Sequence, residues 1–96
     1  MEKPWLKSYP AGIPEYIDIN VYPSVANIFD DSISRYADLP AYTNFGKTIS
    51  FNELDVYTAQ LGAYLKNELG LNKGDRVAVM MPNLLQNPIA IFGILR

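Results

Sequence analysis

The run Gly70-Leu71-Asn72-Lys73-Gly74-Asp75-Arg76-Val77-Ala78-Val79-Met80-Met81-Pro82-Asn83 constrains what this chain can fold into more than any other part of it. Gly70 closes one element, Gly74-Asp75 makes a turn, and Val77 to Met81 is a short apolar stretch. An apolar run between turn residues, with no polar face, has the pattern of a buried parallel strand. Pro82-Asn83 stops that strand and opens a helix that is still apolar when the sequence reaches Arg96. The expectation is the front of a larger fold.

Upstream, the punctuation predicts a helix, a hairpin and a second helix. Pro4, Pro10, Pro14 and Pro23 forbid a long helix in residues 1–23 and favour an extended arm. The arm carries Trp5, Leu6, Tyr9, Ile13, Tyr16, Ile17, Ile19 and Tyr22, too much apolar surface for a free tail. It is expected to pack on its own domain; the sharper alternative is a partner subunit or a membrane surface. Ser24 is a fitting N-cap for a helix over Val25 to Tyr36, with Val25, Ile28, Phe29, Ile33 and Tyr36 on one face. Ala41 to Phe45 and Thr48 to Phe51 flank Gly46-Lys47 as a hairpin. Ser50 and Glu53 have capping-box spacing, which starts a helix running to about Leu69 with Gly70 as its left-handed end. The last helical pattern, Asn83 to Arg96, is apolar nearly all round. Either Asn87 caps it with Pro88 at the first helical position, or it starts at Asn83 and kinks at Pro88.

Composition removes whole classes of chemistry. The chain has no His and no Cys, so the commonest general base, thiolate ligands and disulfides are all absent. A net charge of -2 with scattered Lys and Arg argues against a nucleic-acid partner. The longest apolar stretch, Leu84 to Leu95, is shorter than the roughly 20 residues that span a bilayer. Residues 1–10 lack the apolar core of a signal peptide, so the expected location is cytoplasmic.

The remaining candidates reduce to structural roles. Gly70 to Asp75 has the glycines and lysine of a phosphate loop, but Asp75 stands where Lys and Ser or Thr would be needed. It reads as a helix cap followed by a turn. Asp30 and Asp31 point to different sides of a helix and read as a solvated face. Asp75-Arg76 could form a local ion pair at the strand's entrance. Tyr36, Tyr42, Tyr57 and Tyr64 sit at packing positions, core or half-buried. No catalytic, cofactor-binding or metal-binding residue emerges.

Taken in order, these pieces resemble the start of the adenylate-forming synthetases: acyl-CoA ligases, luciferases and peptide-synthetase adenylation domains. The resemblance rests on Lys47-Thr48-Ile49-Ser50-Phe51-Asn52-Glu53-Leu54, on Leu69 to Asn83, and on Ala90 to Arg96. A narrower likeness, to bacterial long-chain fatty-acid–CoA ligases of the β-oxidation pathway, adds further runs. These are Trp5-Leu6, Tyr9-Pro10 and Pro14, Arg35 to Asp38 with Pro40-Ala41, Met80 to Gln86, and Phe92 to Arg96. The resemblance implies an α/β fold, the N-terminal part of the large adenylate-forming domain, incomplete on its own. Residues 1–23 would be its arm and residues 24–96 its start.

It further implies a parent that uses ATP, Mg2+ and CoA to turn a long-chain fatty acid into its thioester through an acyl-adenylate. The parent would be cytoplasmic, with peripheral contact to the inner membrane or a homodimer through the arm as further expectations. The family's phosphate loop, ribose-binding aspartate and catalytic lysine match no position here, so these residues are expected to be scaffold. The same fold acting on a medium-chain, aryl or amino acid, or a self-standing interaction module using the arm, are the alternatives.

Overall fold

Two serines start the first two helices. The Ser24 backbone is extended and its Oγ accepts from the Asn27 N–H at 3.2 Å, opening α1 (Val25–Tyr36) at the expected residue. Ser50 Oγ accepts from the Glu53 N–H at 3.1 Å, and the Glu53 carboxylate accepts from the Ser50 N–H at 2.9 Å. That reciprocal box opens α2 (Phe51–Asn67). Beyond α2 the Leu71 N–H donates back to the Leu65 carbonyl at 3.0 Å around Gly70, whose φ is +68°. Only a residue at ease in the left-handed region closes a helix this way, which is why Gly70 stands there. The computed structural model describes residues 1–96 in full.

Between the helices lies one antiparallel hairpin, β1 (Pro40–Asn44) with β2 (Lys47–Ser50). Its two-residue turn is Phe45-Gly46, one position earlier than the sequence suggests. Both residues have positive φ, +48° and +77°, the geometry that matches strand twist in tight hairpins. Phe45 is the one non-glycine residue in the left-handed region, and its side chain is 97% exposed. Near the other end Pro40 pairs with Ser50 and Tyr42 with Ile49, leaving Ala41 as an extra, bulged residue. The bulge brings Ala41 onto the core beside Ile49.

The buried core is small. Phe29 from α1, Ile49 from β2 and Leu54 from α2 are its buried members, with Ile33, Ala41, Leu85, Ile89 and Phe92 packed against them. The Phe29 and Phe92 rings stack at 4.5 Å between centroids. Phe92 belongs to α3 (Gln86–Leu95), which lies along α2. There the two backbones approach at Gly62 and Gly93. A Cβ on Gly62 would sit 3.1 Å from the Gly93 carbonyl oxygen, and a Cβ on Gly93 would sit 2.9 Å from a Leu61 methyl. Pro88 occupies the third position of α3, matching neither expected arrangement. First-turn N–H groups have no acceptor inside a helix, so a proline there removes nothing and causes no kink.

Two expectations fail. Arg76 to Met81 is not a strand: these residues belong to no regular element and make no backbone–backbone hydrogen bonds. A strand exists only by pairing, and the hairpin is the only other β-structure in the chain. The arm does not pack on the domain either. Its one regular piece, a short 3-10 helix (Pro4–Ser8), touches no other element, and Trp5, Tyr9, Ile13, Tyr16, Ile17 and Ile19 are exposed. The arm is held instead by polar contacts, from Lys3 to the Glu15 carboxylate and the Tyr16 hydroxyl within it, and from the Tyr22 hydroxyl to Asp31 of α1.

Size measures agree with this open packing. The radius of gyration is 17.0 Å, against about 12–13 Å for a compact chain of this length. The accessible surface is 7857 Å², where a compact chain of this mass exposes about 5,500 Å².

Candidate functional site

An open groove of about 730 Å³ lies between α2, α3 and the segment that follows Gly70. Small residues make its floor: Ala59, Gly62 and Ala63 from α2, and Gly93 from α3. Leu71, Val77 and Ile94 add apolar walls, and Lys66, Lys73 and Arg96 stand at the rim. The groove exists because the glycines let α2 and α3 meet closely while the segment after Gly70 is left unpaired.

Three of the polar side chains around it, Asn72, Asp75 and Arg96, are engaged in hydrogen bonds. The Asp75 carboxylate accepts from the Asn72 N–H at 2.8 Å, and the Asp75 N–H donates to the Asn72 carbonyl at 3.0 Å. Asp75 therefore closes the turn, with Gly74 at φ +97°, and forms no ion pair with Arg76. The glycine-lysine run is a cap and a turn, as its residues imply, and the N–H groups of Leu71, Asn72 and Asp75 are bonded within it or to α2.

Arg96 is the best-connected cation. Its Nη1 donates to the Asp55 carbonyl at 3.0 Å, to Asp55 Oδ1 at 2.6 Å and to Thr58 Oγ1 at 3.0 Å. Thr58 is fully buried and donates onward to the Asp55 carbonyl. The guanidinium also lies 5.6 Å from the centroid of the Phe29 ring. This cluster ties α3 to α2 and α1. It was invisible to sequence reasoning because its partners are 41 and 38 residues apart.

A second cluster corrects the reading of Asp31 as part of a solvated face. Its carboxylate accepts from the Tyr22 hydroxyl at 2.8 Å and pairs with Arg35 Nε at 3.1 Å. The hydrogen bond from Tyr22 to Asp31 raises the phenol pKa above its usual value, and the Asp31 charge raises that of Arg35. The Asp31–Arg35 spacing of four was a legible signal; the Tyr22 contact was not. Asp30 remains exposed. Tyr36, Tyr42, Tyr57 and Tyr64, expected to be core or half-buried, are all exposed because no further layer covers α2 and the hairpin.

No group of three or more carboxylate, His or Cys side chains that could hold a metal ion is assembled. No helix is long and apolar enough to cross a membrane. The arrangement has a capped, cation-rimmed groove, and no nucleophile–base pair stands in it.

Comparison with known proteins supplies what the geometry lacks. The profile of the AMP-binding enzyme family matches residues 29–96. The chain belongs to that family. All 96 residues align at 53% identity with a long-chain-fatty-acid–CoA ligase of Yersinia pestis, and at 51% with one of Escherichia coli O6:H1. A Bacillus subtilis enzyme of the same description is 38% identical over 94 residues. This AMP-binding family member spans 17% of the length of the first two relatives and 16% of the third. No solved structure matches it. The match begins at Phe29, the residue whose ring anchors the core, and leaves the exposed arm outside.

Proposed function

We propose that these residues form the N-terminal scaffold of an ATP-dependent long-chain fatty acyl-CoA synthetase. In a chain of the relatives' length they would begin the large domain, with residues 1–23 as its arm. The reaction proposed for that longer protein has two steps. A fatty-acid carboxylate oxygen bonds to the α-phosphorus of ATP and pyrophosphate leaves, giving an acyl-adenylate. The CoA thiol then loses its proton and bonds to the acyl carbon, and AMP leaves. Negative charge builds at phosphorus and then at the carbonyl, so such a site needs cations and oriented amide donors. No step is assigned to these 96 residues.

The observation that carries the proposal is 53% identity extending over every residue, the arm included, with a protein described as a long-chain-fatty-acid–CoA ligase. A second reading, activation of a different acid on the same fold, draws on a match to surfactin synthase subunit 2 of Bacillus subtilis. That match is 29% identical over 73 residues. One experiment separates the readings. A chain of the relatives' length that begins with these residues is assayed for acid-dependent ATP–pyrophosphate exchange with oleate, octanoate, benzoate and leucine. Oleate should give the highest kcat/KM, and residues 1–96 alone should give no exchange. Exchange driven by leucine or benzoate and not by oleate would sink the fatty-acid assignment.

A further inference from the structure

Residues 1–22 are tied to the rest of the chain by one polar contact. The Tyr22 hydroxyl donates to Asp31 Oδ2 at 2.8 Å. Every other hydrogen bond, ion pair and cation–π contact of residues 1–22 stays inside them. None of these residues belongs to the core or packs against it. Within the arm, Lys3 reaches the Glu15 carboxylate and the Tyr16 hydroxyl. Those contacts close residues 3–16 into a loop that carries Trp5, the only tryptophan of the chain.

Donor and acceptor are both set for the Tyr22 contact. Asp31 lies about two turns into α1, and Arg35, one turn further on, donates to it from Nε at 3.1 Å. An exposed pair of this kind adds little stability, but it fixes the direction of the carboxylate. On the other side, a residue that precedes proline is held to extended backbone. Pro23 then leads into Ser24, itself extended as the N-cap of α1. The chain so runs back beside the helix, and the half-buried Tyr22 ring meets Asp31.

We propose that Tyr22 and Asp31 form the latch of a hinged arm. While the bond holds, residues 1–21 keep one direction relative to α1; when it opens, they swing as one piece about the Pro23–Ser24 link. A few residues at the end of an element are enough to absorb such a motion. The inference is independent of the reaction proposed above.

Trp5 supplies the probe. Time-resolved fluorescence anisotropy on the 96-residue chain at neutral pH should show Trp5 tumbling with the body. Tyr22→Phe keeps the ring and removes only the hydroxyl, and should raise the detached fraction roughly two- to tenfold. That rise reads as a larger amplitude of fast depolarisation, with helix content by circular dichroism unchanged. Asp31→Ala should do the same, and the double variant should go no further than either single one, because both remove one bond. Fast depolarisation already dominant in the unsubstituted chain overturns the proposal. So does a Tyr22→Phe decay that matches the unsubstituted chain, or full additivity of the two substitutions. If the 96 residues do not hold their helices, the same comparison in a chain of the relatives' length, with Trp5 as its only tryptophan, decides by the same outcomes.

Discussion

Tyr22 joins the arm to the helical body through one hydrogen bond, and that bond is sensitive to pH. The neutral phenol donates to Asp31, so ionising Tyr22 would break the bond and set two anions together. The folded-state pKa is therefore raised above its ordinary value of 10.0. A raised folded value means that the stabilising contribution is complete below the unfolded pKa and is lost as pH rises through the folded one. The attachment should hold through neutral pH and fail above about pH 10. Spectrophotometric titration of the tyrosines, compared between the parent chain and Tyr22→Phe, should show one phenol titrating later than the rest. A difference spectrum with an ordinary midpoint would refute this account. The same residue shows what local pattern can reveal: Asp31–Arg35 is a four-residue spacing, but nothing in the sequence aims Tyr22 at Asp31.

At the level of elements, the contact that organises the structure is α2 against α3. Gly62 and Gly93 permit it, because any side chain on Gly93 meets Leu61. Gly93→Ala should destabilise the helix pair by about 1–3 kcal/mol through overpacking. Leu61→Ala in the same chain removes Cδ2 and Cγ, two of the three crowding atoms, and leaves Cβ at 3.1 Å, so the double variant should lose less than the sum of the two single losses. Thermal melts of all four proteins form the cycle, and strict additivity would contradict the crowding explanation. The helix starts were readable because Ser24, Ser50 and Glu53 act within four residues of themselves. The start of α3 was less readable, since Leu85 makes no side-chain cap and Pro88 is tolerated anywhere in the first turn.

For the molecule as a whole, openness is the dominant property. Apolar side chains from the arm, from α2 and from the segment after Gly74 face solvent together. Small-angle scattering at low concentration should give a radius of gyration close to 17.0 Å, clearly above the 12–13 Å or so of a compact chain. A value near the compact figure would mean that the arm folds back on the helices, as its composition suggested. The chain accounts for 17% of the length of its Yersinia pestis relative.

Sequence alone determined the starts of α1 and α2, the presence of the hairpin, the glycine end of α2 and the family, because each rests on short-range stereochemistry or on residue identity in order. It also excluded a phosphate loop at Gly70 to Asp75, since Asp75 sits where cationic and hydroxyl groups are required. Tertiary structure decided the rest. It engaged Arg96 with Asp55 and Thr58 and left four tyrosines exposed. It also left Arg76 to Met81 outside every regular element, without a backbone–backbone hydrogen bond. Strand formation and burial depend on partners distant in sequence, and an apolar pattern states only that such partners are needed.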